Sequence, residues 1–345
     1  MLPVADLLTT RGAGVAILDH GLLGRNGSSR ATRLPPPPDG ADLGQWLRNW
    51  GIGSLCFGTS LHDHLPISLA RAARAAGLPM VCVLDNWMNY RARLSMDGGA
   101  ELIPECYAVM DDKARDEALA EGVPAACLRV TGHPGLAFLA DEIAAAGPDW
   151  RRDVRARIGW GRPGRELVAF IGEPVARDQG TGPQSPAWRG YTEREVLPLL
   201  CRELQAYGDR LDVVIVPHPR DDLTELQALW QEARGRLEGG LAPVGMSGRQ
   251  IVLAADRVAG MASILLYESW LQGKPTLSLQ PGLVRSDLKS VATRPGIVFV
   301  DGRDGATEGL RNWLQALPQA PRNDLNRHRQ APAVLADLLQ QMITG

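Results

Sequence analysis

At 345 residues the chain is long enough for two domains, each with its own core. Hydrophobic residues make up 45% and charged residues 22%, which excludes disorder across the chain, and no apolar run approaches the ~18 residues of a membrane span. Lys and Arg (37) nearly balance Asp and Glu (39), so the basic field of a nucleic-acid binder is missing and nucleic acid is excluded as a main partner.

The N-terminus, Met1-Leu2-Pro3-Val4-Ala5-Asp6, lacks the basic-then-apolar layout of a signal peptide, which points to a cytoplasmic protein. Cys56, Cys82, Cys106, Cys127 and Cys201 are scattered without a C-x-x-C pair, so neither a zinc site nor a disulfide framework is expected. Short apolar runs then follow one another along the first half. Gly14–Asp19, Ser54–Gly58, Met80–Asp85, Tyr107–Met110 and Leu128–Thr131 read as buried strands, and Leu65–Ala76 and Asp112–Glu121 as helices between them. Leu34–Gly40 is a proline run that reads as a stiff connector.

The basic stretch Asp149–Gly164 reads as a linker, after which the alternation restarts. Leu167–Gly172, Asp212–Val216, Arg257–Ala259, Thr276–Leu279 and Ile297–Val300 are the next strands. Glu193–Tyr207, Leu223–Arg236, Ser263–Gln272 and Glu308–Leu317 are the helices that separate them, and Arg177–Arg189 and Gln280–Thr293 are loops. Such alternation builds parallel sheets with helices on both faces. The expected organisation is α/β: a Rossmann-like domain over 1–150 and a second over 151–345, facing a central cleft, with a last helix near Pro332–Ile343 at their junction.

Two stretches of the second half carry the strongest chemical signal. The strand Val214-Ile215-Val216 runs into Pro217-His218-Pro219-Arg220-Asp221-Asp222. In open α/β sheets ligands bind outside the carboxyl ends of the strands, which puts His218 and Arg220 at the rim, with Pro219 stiffening the turn. Gly260-Met261-Ala262-Ser263 ends another strand and opens an apolar helix, whose first N–H groups and Ser263 hydroxyl suit a phosphate. Glu268 lies in that apolar helix as a carboxylate in want of donors, which a ribose diol supplies.

Together these stretches resemble the C-terminal half of the GT-B superfamily, with Glu268, Gly273, Lys274 and Pro275 at the family's spacing. His218-Pro219 resembles the His-Pro motif of bacterial sialyltransferases, polysialyltransferases and CDP-glycerol polymerases. Val130-Thr131-Gly132-His133-Pro134 resembles the Val-Thr-Gly-Asn/His-Pro end of a GT-B N-terminal domain. The resemblance implies a nucleotide held by His218, Pro219, Arg220, Gly260, Ala262, Ser263 and Glu268. Gly260–Glu268 departs from the Ser-Gly-Gly-x-Gln-Glu-Glu run of the UDP-N-acetylglucosamine 2-epimerases, and Ala262-Ser263 from the sialyltransferase Ser-Ser/Thr pair. No Asp-x-Asp stands at a strand end, so no metal and no cofactor beyond the donor is expected.

In the first half, Gly58-Thr59-Ser60-Leu61-His62-Asp63-His64 follows a strand, as does Asp85-Asn86-Trp87-Met88-Asn89-Tyr90-Arg91. Any of Asp19, His62, Asp63 and Asp85 could serve as general base. Thr59, Ser60, Asn86, Trp87, Arg91, Gly132 and His133 are the substrate-binding candidates, with Trp87 offering a stacking face. The reading is a metal-independent glycosyltransferase that takes a CMP- or UDP-type sugar donor to a glycan or other hydroxyl acceptor. A sugar-nucleotide 2-epimerase or hydrolase, a glycerophosphate-transferase-like enzyme and a non-catalytic GT-B module are the alternatives. Peripheral membrane contact and oligomeric state stay open.

Overall fold

The structure is a computed structural model, and it describes residues 1–21, 29–59, 63–95 and 99–344. The chain divides into two compact units, Met1–Ala140 with the segment from Asp324 onward, and Asp141–Asn323.

In the first unit, β3 (Leu55–Phe57), β4 (Met80–Val83), β5 (Cys106–Val109) and β6 (Leu128–Val130) form a parallel sheet in sequence order. β1 (Ala16–Leu18) and β2 (Thr32–Leu34) make a separate parallel pair. β4 and β5 are buried along their whole length, as continuous apolar strands are when both faces are covered. The cover on one face comes from the two ends of the chain. Val4 and Leu8 of the helix Leu2–Thr10 and Leu335, Ala336 and Leu339 of the helix Asp324–Thr344 pack with Val81, Val83, Cys106 and Ala108. Each buried Leu there is worth about 1.5–3 kcal/mol.

The second unit carries one six-stranded parallel sheet: β7 (Glu166–Ile171), β8 (Leu211–Val216), β9 (Glu238–Leu241), β10 (Arg257–Gly260), β11 (Thr276–Leu279) and β12 (Ile297–Val300). Its spatial order is β12-β11-β10-β7-β8-β9. Phe170, Val213, Ile215, Leu277 and Leu279 form the core with Leu200, Trp230 and Trp313 from the covering helices.

Three expectations need correction. The basic stretch after Pro148 is a helix, Pro148–Ile158, with Pro at its first turn and Val154 and Ile158 buried one turn apart; the arginines between them had masked that spacing. β9 carries Gly239 and Gly240 and gave no apolar signal, yet it pairs with β8. A Cβ on Gly239 would lie 2.0 Å from the Val213 carbonyl oxygen, so only glycine lets this strand approach. The terminal helix packs in the first unit, not in a 151–345 domain, because its apolar stripe is complementary to β4 and β5 and to the first helix.

Candidate functional site

The strand order of the second unit reverses direction between β7 and β10: from β7 the chain winds outward through β8 and β9, then returns to β10 and proceeds the other way. A crevice opens at the carboxyl ends of strands flanking such a reversal. β7 ends there in Gly172-Glu173 and β10 in Gly260-Met261-Ala262-Ser263. Glu173 bridges the two: one carboxylate oxygen accepts the Ala262 N–H at 2.6 Å and the other accepts from Arg189 Nη1 at 2.8 Å. Ser263 is the N-cap of the helix Ile264–Leu271, its hydroxyl accepting the Leu265 N–H at 3.3 Å. Among the described residues the N–H groups of Ser263 and Ile264 have no protein partner.

His218 stands at the end of the neighbouring strand β8, half-buried. Its N–H donates to Asp221 Oδ2 at 2.7 Å, and its ring Nδ1 accepts the Arg220 N–H at 3.1 Å. A neutral ring therefore carries its proton on Nε2. Burial, with the Arg220 charge adding to it, pulls the His218 pKa down, only partly offset by Asp221, Glu173 and Asp178. His218 is thus a neutral donor at pH 7. Arg220 reaches Asp178 at 2.7 Å, and Pro219 lies in the turn between His218 and Arg220. A Cβ on Gly172 would meet Asp221 Oδ2 at 2.9 Å, so the ends of β7 and β8 are in close contact. His218, Gly260, Ala262 and Ser263 are therefore gathered along one edge, with Glu173 between the two strand ends.

Glu268 is 3% exposed but is no lone carboxylate. Arg249 grips it in a two-pronged ion pair, Nε to Oε2 at 2.8 Å and Nη2 to Oε1 at 3.0 Å. Arg249 is placed by the capping box that Ser247 and Gln250 make at the start of the helix Gly248–Ala254. Lys274 of the Gly-Lys-Pro signature faces away from this edge. Its buried Nζ donates to the carbonyls of Val252, Leu253 and Ala255 and caps the end of that helix. Burial, and after it the nearby Arg151 charge, pulls the Lys274 pKa well down.

In the first unit, Asp63 meets His20, Oδ2 to Nε2 at 2.8 Å, and also accepts the Leu65 N–H. Asp19 pairs with Arg33 at 3.1 Å. The guanidinium of Arg93 joins Asp85 (2.8 Å) to Thr59 (3.3 Å). Ser60 and His62 lie outside the described residues. Trp87 does not offer a stacking face: it is 1% exposed and its indole N–H donates to Asp111, because the apolar ring fills the core. Asn86 accepts the Trp87 N–H, and Arg91 pairs with Glu101 at 2.8 Å. Gly132 and the backbone of His133 meet the terminal helix. Gly132 has φ 84°, a Cβ there would lie 2.5 Å from the Arg327 carbonyl oxygen, and the His133 N–H donates to the buried His328.

Sequence reasoning missed Glu173, Arg189 and Arg249. The first had a signal, a Gly-Glu-Pro directly after the strand LVAFIG. The arginines are defined only by what they reach across the fold.

Among the described residues no group of three or more His, Cys, Asp or Glu side chains is placed to hold a metal ion, and no helix is long and apolar enough to cross a membrane. No protein-family model and no curated protein matches the chain. Solved structures do. UDP-GlcNAc 2-epimerase from Methanocaldococcus jannaschii is 11% identical and aligns over 98% of this chain and 95% of its own, with a TM-score of 0.65. MurG from Acinetobacter baumannii is 14% identical over 99% and 94%, TM-score 0.56. The wall teichoic acid polymerase TagF is 8% identical over 99% and 84%, TM-score 0.55. With two parallel-sheet α/β bodies matched almost end to end by enzymes of that architecture, the chain has the GT-B fold.

Proposed function

We propose that this protein is a metal-independent glycosyltransferase that moves a sugar from a CMP- or UDP-type donor to a hydroxyl acceptor such as a glycan, in the making of a cell-surface polysaccharide. The observation that carries the reading is the set of neutral donors at the β7/β10 reversal: the His218 ring N–H and the Ser263 and Ile264 amides, where a helix N-terminus favours an anion. The fold of the neighbours, among them MurG and TagF, supports it.

In the reaction the bond from the sugar's anomeric carbon to the donor phosphate breaks, and its electron pair leaves with the phosphate. Donors aimed at that phosphate stabilise the growing charge more than the ground state. The acceptor oxygen bonds the anomeric carbon and gives its proton to a base. The Asp63–His20 pair is the best-organised candidate, since the carboxylate fixes the ring nitrogen it bonds. Asp19 and Asp85 are each hydrogen-bonded to an arginine, so one oxygen of each is already engaged.

The test is donor turnover with EDTA present, with and without hydroxyl acceptors, in the wild type and in H218A. Acceptor-dependent turnover that survives EDTA and falls at least a hundredfold in H218A, with the folded yield kept, is expected. Turnover restored only by Mg²⁺ or Mn²⁺ would overturn the metal-independent mechanism. Epimerisation without acceptor is the second reading, favoured by the TM-scores to UDP-GlcNAc 2-epimerases, and the same assay reports it.

A further inference from the structure

We infer that this site prefers a donor activated by a single phosphate, a nucleoside monophosphate sugar, over a diphosphate-activated one, because the carboxylate of Glu173 already occupies the cradle and no guanidinium there is in excess. This rests on the reading that the nucleotide phosphate lies against Ser263.

Along this edge the guanidiniums do not outnumber the carboxylates. Glu173 holds Arg189, Asp178 holds Arg220, and Glu268 holds Arg249. Arg177 donates to the Arg220 carbonyl, and Asp221 accepts the His218 N–H. The carboxylates Glu173, Asp178, Asp221 and Glu268 thus match Arg177, Arg189, Arg220 and Arg249 charge for charge. Glu142, 3.5 Å from Arg249, and Glu193, on the Ala176 N–H at 2.9 Å, add two further carboxylates. His218, pulled down by burial, adds none.

What is left for a ligand is neutral: the His218 ring N–H, the Ser263 and Ile264 amides and the Ser263 hydroxyl. Neutral donors solvate phosphate oxygens without cancelling their charge. The Ala262 amide, next in line, is spent on Glu173, whose side chain is 14% exposed and so poorly screened. One phosphodiester charge fits such a site. A second phosphate brings another negative charge towards Glu173, and like charges in a half-buried setting repel.

Titration calorimetry on the full chain, in EDTA at pH 7.5, decides this with the 5′-mono- and diphosphates of cytidine, uridine, guanosine, adenosine and thymidine. For whichever base binds, the wild type should hold the monophosphate at least as tightly as the diphosphate. E173Q keeps an acceptor for the Ala262 N–H and removes the charge; it should shift the ratio at least fivefold toward the diphosphate. R189Q, which leaves Glu173 uncompensated, should shift it the other way. A wild type that binds a diphosphate more tightly, or a ratio that neither variant moves, overturns the charge inference and leaves the nucleotide reading standing. If a variant fails to fold, the wild-type ratio decides alone. Failure of the wild type to bind any of these nucleotides overturns the nucleotide reading, and this inference with it.

Discussion

Asp212 has no exposed surface, and burial by itself would raise its pKa. The Arg165 guanidinium at 2.6 Å and the Gly161 and Arg162 N–H groups outweigh that and hold it below the ordinary carboxylate value. A carboxyl whose folded pKa is depressed stabilises the fold above its unfolded value, and that stability is lost as pH falls through the folded one. Asp212→Asn should therefore cost about 3 kcal/mol at pH 7, and the gap to wild type should begin to narrow only as pH falls below about 4. Urea melts from pH 3 to 7 measure both. Glu268 is a second buried carboxylate held by an arginine. Glu268→Ala leaves the part-buried Arg249 charge with only its 3.5 Å contact to Glu142 and should cost about 2 kcal/mol in a thermal or urea melt. Nucleotide affinity in that variant has to be measured well below its melting temperature, and Glu268→Gln is the gentler probe of ribose binding.

At the scale of elements, the signature Gly273-Lys274-Pro275 works as a fastening between two helices and a strand, since Lys274 closes the helix Gly248–Ala254 that carries Arg249. Lys274→Met would leave those carbonyls without their donor. A loss of about 2 kcal/mol is expected with nucleotide affinity unchanged; a tenfold weaker affinity in a well-folded variant would place Lys274 in the ligand site instead. The terminal helix is fastened by a close approach. At Gly132 the backbone is left-handed and touches the helix at Arg327. Gly132→Ala should lower stability by more than about 1 kcal/mol and raise hydrogen exchange in Asp324–Thr344 before it does so in β10 or β11.

For the whole molecule, each unit has a core of its own, and the residues of the proposed phosphate site all lie in Asp141–Asn323. That segment expressed alone should fold cooperatively and keep nucleotide affinity within about tenfold of the full chain, at the RT ln 10 scale of one lost contact. Calorimetry on the fragment checks it. Deleting the chain from Asp324 should instead unfold the first unit, because Val4, Leu8, Val81 and Val83 lose the apolar stripe that covers them.

By itself the sequence determined the parallel α/β class, nearly every strand of the two larger sheets, and that His218 and Ser263 follow the carboxyl ends of strands. Each is a local matter: apolar runs of strand length, turn residues at their ends, and a capping hydroxyl before a helix. The strand β9 and the helix Pro148–Ile158 escaped because close packing and burial along one stripe override composition. Only the tertiary structure decided that Trp87 is core, that Gly132 and the His133 backbone meet the last helix, that Glu173 joins Arg189 to Ala262, and that Arg249 holds Glu268. The reason is physical. A charge is defined by the partner that reaches it across the fold, and Glu173 and Ala262, or Arg249 and Glu268, meet only once the strand order is fixed.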